Sequence, residues 1–429
     1  MRDMKNSGFS WIGEIPKSWS MQRVKHGFTR KNEKAMQEDP VILSLTRAGV
    51  KVRDVSNNEG QIAESYFNYN PVEPGDLLLN PMDLYSGANC SISNVSGVIS
   101  PAYINLKSKD DINPIFYDYY FKVQYWMMAF FSYGKGVSFD NRWTLNAETL
   151  MNYPIVSLPY DEQCRIADYL DEKCSKIDAI IKKQQTVIEK LKAYKLSVIT
   201  ETVTKGLNPD VEMKDSGVEW IGKIPYDWHI AKIKNGTSKV GSGKTPKGGA
   251  EIYSENGVLF LRSQNIYDEG LKLNDPTYIT PEIDEEMSNT RVFPGDVLLN
   301  ITGGSIGRCC IFPEEIDHAN VNQHVSILRV TNTLFTNEYL HYFWISILGK
   351  RAIEQYQTGG NREGMSADAI KNTPIPLPSI AEQNEIVKKL DSICQRVENT
   401  IIQKTVIIEK IEVYKKSLIF EVITGKKEV

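Results

Sequence analysis

The chain has 429 residues, 41% of them hydrophobic and 24% charged. That is too long for one ordinary core and suits two soluble globular domains with connecting elements. Its 50 Lys and Arg against 54 Asp and Glu give a formal charge of −4, which argues against an indiscriminate polyanion binder and leaves room for one basic face. No apolar core follows Met1 and no run approaches the roughly 20 apolar residues of a membrane span, so neither a signal peptide nor a membrane helix is expected. The six cysteines form no C-x-x-C pair, and the five histidines show neither H-x-x-x-H nor H-E-x-x-H spacing. Reduced thiols in a cytoplasm, and no metal site, are the corresponding expectations.

In chain order, the first element is Trp11-Ile-Gly-Glu-Ile-Pro-Lys-Ser-Trp19, followed by the strand-like Pro74-Gly-Asp-Leu-Leu-Leu-Asn80. The aromatic stretch Tyr117 to Tyr133 reads as a buried helix. A long helix then follows Pro159, with Glu162 in its first turn, where a carboxylate suits the helix dipole. Its apolar residues keep a 3/4 spacing: Leu170, Cys174, Ile177, Ile181, Ile188, Leu191, Val198, with Gly206 as a stop signal.

The elements then repeat. Trp220-Ile-Gly-Lys-Ile-Pro-Tyr-Asp-Trp228 copies the opening, Pro294-Gly-Asp-Val-Leu-Leu-Asn300 copies the strand, and Pro374–Thr424 aligns without gaps on Pro154–Thr204. The second stripe is Leu390, Cys394, Val397, Ile401, Ile408, Ile411, Leu418, ending at Gly425. Polar residues interrupt both stripes at matching places, Gln184 with Lys404 and Lys195 with Lys415. Between the landmarks, residues 20–150 and 229–370 barely resemble each other, so one scaffold carries two different interiors. The period, roughly 210 to 220 residues, is a whole domain and excludes a small solenoid.

The stripes read as a coiled-coil seam, with two independent amphipathic helices as the alternative. Residues 162–204 span roughly 65 Å as a helix, and a compact domain of this size does not easily carry the chain back that far. Antiparallel pairing follows, with one globular domain at each end and the second helix closing back on the N-terminus. The expected fold class is α+β: two mixed α/β domains separated by two long antiparallel helices, with a pseudo-two-fold repeat. The expected boundaries are 1–155, 156–206 (helix), 207–375 and 376–429 (helix).

The W-I-G-x-I-P-x-x-W entry, the P-G-D-x-L-L-N segment and Pro374 to Leu390, close to a Pro-Leu-Pro-x-x-x-Glu-Gln pattern, resemble the specificity subunit of Type I restriction–modification systems across both halves. Gly303-Gly304-Ser305-Ile306-Gly307 and Asn322-Gln323 resemble further landmarks of that family, whereas the first half has Tyr85-Ser86-Gly87-Ala88-Asn89 and Ser100-Pro101 in their places. The resemblance implies two target recognition domains that each read half of a split double-stranded DNA site, with the helices setting the spacing. It also implies two adenine-methylating modification subunits that carry S-adenosylmethionine, restriction (translocase–nuclease) subunits, and no catalysis or cofactor in this chain.

The residues themselves offer little chemistry. Asn80-Pro81-Met82-Asp83 lacks the second proline and aromatic of an adenine methyltransferase motif, and its copy Asn300-Ile-Thr-Gly303 drops the motif. Gly241-Ser-Gly-Lys-Thr245 fails the P-loop spacing because residue 238 is serine. A stand-alone DNA methyltransferase or nuclease with fused recognition domains is the enzymatic alternative, and a purely structural adaptor is a third.

If the chain reads DNA, cations and amides on loops between strands are the candidates, because Arg forms two hydrogen bonds to guanine and Asn or Gln two to adenine. In the first domain these are Arg47, Lys51, Arg53, Tyr85, Ser86, Lys135, Arg142 and Trp143. In the second they are Lys244, Arg262, Gln264, Asn265, Thr302, Ser305, Arg308, Asn322, Gln323 and Arg362. The alternative for each is a turn residue bonded to its own backbone or to water, and for Trp143 a cap on the core.

Overall fold

The computed structural model describes residues 2–54, 63–82, 84, 89–136, 143–356 and 364–429. The chain forms two compact units, residues 1–184 with 405–429, and residues 185–404.

The central sheet of the first unit is antiparallel. Its strands are β1 (Phe28–Lys31), β8 (Ile104–Ser108), β5 (Leu77–Leu79) and β6 (Cys90–Ile92), in the spatial order β1-β8-β5-β6. Behind it lie the hairpin of β2 (Leu43–Thr46) with β3 (Gly49–Val52) and the antiparallel pair β4 (Asn70–Val72) with β7 (Gly97–Ile99). In the second unit, β9 (Thr237–Ser242), β18 (Val325–Val330), β15 (Val297–Asn300) and β16 (Cys309–Ile311) repeat that order as β9-β18-β15-β16. A second sheet there joins β10 (Val258–Leu261), β13 (Tyr278–Ile279), β14 (Arg291–Val292) and β17 (Ala319–Val321), and β10 runs parallel to β17. A short hairpin of β11 (Ile266–Tyr267) and β12 (Gly270–Leu271) follows β10.

The duplicated Pro-Gly-Asp motif is explained by this layering. Leu77 and Leu79 enter the main core while Leu78 enters a smaller cluster with Leu43, Leu45, Val72 and Ile99. Val297 and Leu299 likewise part from Leu298. A strand buried on both faces needs consecutive apolar residues instead of alternating ones. The turn before it needs a left-handed residue, supplied by Gly75 (φ 92°) and Gly295 (φ 82°). The aspartate closes that turn: Asp76 accepts from the Glu73 N–H at 2.8 Å, and Asp296 from the Phe293 N–H at 2.9 Å. Each carboxylate then takes a cation from another strand of the same sheet, Lys31 at 2.8 Å in the first unit and Arg329 at 2.7 Å in the second.

The aromatic stretch is two helices and not the one expected from sequence: α1 (Pro114–Trp126) and a short turn Ala129–Tyr133. The break falls at Met128, which has left-handed backbone (φ 57°) and cannot continue a right-handed helix. The counterpart in the second unit is α2 (Asn337–Ile345).

Two long helices, Tyr160–Lys205 and Ile380–Ile423, run from one unit into the other. Their Glu-Gln pairs are anchors. The Trp19 indole donates to Glu162 at 3.1 Å, and the Trp228 indole to Glu382 at 3.0 Å. Buried Gln163 donates to the carbonyls of Leu158 and Asp111 and accepts from the N–H of Asn113, the N-cap of α1. Gln383 does the same with Pro378, Leu334 and Thr336, the N-cap of α2. One glutamine thus ties the start of each long helix to the start of the aromatic helix beside it.

The helices pair antiparallel inside each unit. In the first, Ile166, Leu170, Cys174 and Ile177 of the first helix share a core with Leu418, Ile419, Val422 and Ile423 of the second. In the second unit, Ile199 and Val203 share a core with Ile386 and Leu390. Of the heptad residues, Leu170, Ile177, Leu390, Val397 and Ile401 are buried, and Ile181, Ile188, Leu191, Ile408 and Ile411 are half-buried. Both helices end on left-handed glycines, Gly206 (φ 76°) beside Trp228 and Gly425 (φ 71°) beside Trp19. Beyond Gly425, Lys426 donates to the Ile12 carbonyl at 3.2 Å, so the end of the second helix closes on the opening motif. Among the described residues, no helix is long and apolar enough to cross a membrane.

Candidate nucleic-acid interface

In the second unit the strand pairing gathers the variable loops at one edge. Ser242 at the end of β9 pairs with Ser326, and Asn300 at the end of β15 pairs with Val325, so both strands finish where β18 begins. Parallel β10 and β17 end together at Leu261 and Val321. Backbone bonds stitch the emerging loops: Asn322 N–H to Leu261 O (2.9 Å), Lys244 N–H to Val321 O (3.0 Å), and Ile301 N–H to His324 O (3.0 Å). Gly243 fits here because an added Cβ would lie 2.0 Å from the Val321 carbonyl oxygen. Buried Asn300 completes the join, its amide donating to Ser263 O at 2.8 Å and Ser305 Oγ at 3.2 Å.

The edge therefore brings Lys244, Arg262, Gln264, Thr302, Ser305, Arg308 and Gln323 onto neighbouring loops. Lys244, Gln264 and Gln323 are exposed, and the other four are half-buried. A polar chain crosses it. The Thr245 hydroxyl bonds Gln323 Oε1, Gln323 Nε2 lies 3.1 Å from His324 Nε2, and His324 Nδ1 lies 2.6 Å from the Thr302 hydroxyl. A neutral imidazole accepting at Nε2 and donating at Nδ1 satisfies the whole chain. The Gln323 amide is thus held in one orientation while remaining exposed, as a donor–acceptor reader of a base edge requires. Arg262 lies with its guanidinium 6.0 Å from the Tyr253 ring centre.

Two expected readers are instead structural. Asn265 is only 5% exposed; its Oδ1 accepts from the Arg262 N–H at 2.9 Å and its amide donates to Lys272 O at 3.0 Å. Both ends of that amide are engaged in shaping its own loop. Asn322 is buried, and its Oδ1 accepts from the His324 N–H at 3.1 Å. For both, the turn-residue alternative describes the geometry.

In the first unit, Arg47 is exposed at the β2–β3 turn, Lys51 is exposed on β3, and half-buried Arg53 lines a cleft of about 430 Å³ with Ser44, Tyr69, Met82, Ser100 and Tyr103. Lys135 is exposed, and its backbone exchanges hydrogen bonds with Thr144. Trp143 turns inward: its indole donates to Phe131 O at 2.9 Å and its ring packs on Phe131 at 5.4 Å, the core-capping arrangement. Leu145 N–H to Pro81 O and Met365 N–H to Ile301 O pin equivalent loops in the two units. Tyr85, Ser86, Arg142 and Arg362 lie outside the described residues. Sequence reasoning missed Thr245 as the partner of Gln323, and Tyr69 and Tyr103 of the first-unit cleft. Loop partnership of this kind leaves no periodic trace in a single sequence.

Comparison with known proteins agrees with this geometry. Residues 225–409 match the Type I restriction modification DNA specificity domain. The EcoBI specificity subunit of Escherichia coli is 25% identical over 402 residues, covering 89% of this chain and 81% of its own. The putative MjaX specificity subunit of Methanocaldococcus jannaschii is 24% identical, covering 97% and 96%. A solved chain, described under complex assembly and conformational transition of the type I R-M system, shares the fold at a TM-score of 0.69. That match has 14% identity and covers 96% of this chain and 99% of the other. Residues 225–409 thus carry a Type I restriction modification DNA specificity domain, and over most of its length the chain is similar to the specificity subunits of Type I restriction–modification systems.

Proposed function

We propose that each unit reads one half of a bipartite duplex site through its strand-end loops, and that the two long helices set the gap between the halves. One observation carries this reading: the same sheet order and the same Trp–Glu anchor to a long helix occur twice, while the loops mounted on them differ. Exposed cations supply affinity through phosphates, and held amides and guanidinium groups supply discrimination. Two modification subunits, which hold S-adenosylmethionine and methylate adenine, assemble on the scaffold, and restriction subunits join them in the cytoplasm. This chain supplies recognition alone and binds no cofactor of its own.

The test is to sequence methylated adenines genome-wide with and without the gene. A two-part motif with a fixed gap should vanish on deletion. An unchanged methylation pattern contradicts the proposal.

A further inference from the structure

The β11–β12 hairpin of the second unit carries an aromatic ring with two cations on it. Lys272 Nζ lies 3.9 Å from the centre of the Tyr267 ring, and the Arg308 guanidinium carbon lies 4.5 Å from it. Neither cation has a carboxylate partner among the described residues. The two acidic side chains of the hairpin turn are engaged elsewhere: Asp268 accepts from the Cys309 N–H at 3.1 Å, and Glu269 lies 3.4 Å from Lys195 Nζ. A ring face positions a cation without neutralising it, so both charges stay available to an anion.

The backbone of each cation is fixed to the strand-end loops. Lys272 donates its N–H to Asn265 O at 2.9 Å and accepts from the Asn265 amide at 3.0 Å. Arg308 accepts from the Asn300 N–H at 2.8 Å and donates to Ser305 O at 3.1 Å. Buried Asn300 and Asn265 thereby hold the pair against the edge that carries Gln323 and Thr302. Arg offers a planar fork and Lys a point charge, both suited to phosphate oxygens.

We propose that Lys272 and Arg308, mounted on Tyr267, form a clamp for backbone phosphodiester of the duplex beside the strand-end loops. The proposal rests on reading this unit as a duplex reader. Its sequence-independent contacts set the register in which Gln323 meets a base edge.

The experiment uses the assembled complex with its modification subunits and two duplexes, one bearing the methylated motif and one with its halves scrambled. Lys272→Ala and Arg308→Ala should weaken both duplexes by similar factors, and each should lower the slope of log affinity against log salt by about 0.9. Tyr267→Phe should leave binding unchanged, and Tyr267→Ala should reproduce the loss. A loss confined to the motif duplex, or an unchanged salt slope, would overturn the clamp. If the unaltered complex fails to prefer the motif duplex, the duplex-reading assignment itself falls. If that preference holds and the alanine variants bind normally, the clamp alone falls.

Discussion

The Lys415 ammonium lies 2.7 Å from both carboxylate oxygens of Asp178, tying the late part of the second long helix to the early part of the first. Its repeat equivalent in the other unit joins Lys195 to Glu398 at 3.5 Å. The two lysines interrupt otherwise apolar stripes, and each does so to reach a carboxylate on the opposite helix. Within each unit an antiparallel pair of helices brings the lysine to its carboxylate.

Reversing one member should therefore be worse than reversing both. Lys415→Asp places like charges together, while Asp178→Lys with Lys415→Asp restores attraction. Because Asp178 is 57% exposed, the coupling should be modest, about 0.5 kcal/mol in a double-mutant cycle read by denaturant unfolding. Zero coupling would show that the contact does not help fix the helix register.

The Trp–Glu anchors should matter more. Trp228 is 2% exposed, so Glu382→Ala leaves a buried indole N–H without an acceptor and should cost about 1–3 kcal/mol. Glu382→Gln keeps an oxygen there and should cost less. Gly206→Ala should destabilise as well, by about 1–2 kcal/mol, because its φ of +76° is left-handed and its Cβ would meet Glu382 at 3.0 Å. Thermal unfolding of the three variants gives the order directly.

Asn265→Ala and Gln323→Ala should separate structure from reading. The first removes a buried amide that holds two backbone groups, and should lower stability by about 1–3 kcal/mol and weaken binding to any duplex. The second removes an exposed amide, should leave the unfolding temperature within a degree or so, and should relax base choice in one half-site by about 1–3 kcal/mol. Equal loss of stability in both would contradict the division of roles.

His341 should make the second unit sensitive to acid. Burial holds its pKa below the ordinary 6.5, opposed by nearby Asp268, while Nε2 lies 3.1 Å from the carbonyls of Asp268 and Cys309. The unfolded chain then binds a proton near pH 6.5 that the folded chain refuses until lower pH. Stability from this site is complete above pH 6.5 and declines as pH falls through that value toward the depressed one. His341→Gln should flatten the pH dependence of unfolding below pH 6.5. An unchanged slope would show that His341 does not titrate as placed.

The duplicated frame was legible in the sequence because its signals are local and periodic. The heptad stripes, the glycine stops and the three apolar residues after Pro-Gly-Asp each follow from one element's geometry. The Glu-Gln pairs were visible as a repeat and readable through the helix dipole. Their main work, receiving an indole and an N-cap N–H, depends on residues 47 to 154 positions away. The loops were least legible. Asn265 and Gln323 are both strand-end amides by sequence, and only the fold shows that one faces its own backbone and the other faces solvent. The kink at Met128 was hidden for a related reason, since the residues around it are equally apolar on both sides.

The central claim is that two unlike readers sit on one duplicated frame. It is tested most directly by replacing residues 20–150 with those of a relative that methylates a different motif, then sequencing methylated adenines genome-wide. One half of the motif should change to the donor's while the other half and the gap stay as they were. A change in both halves, or in neither, would contradict the account.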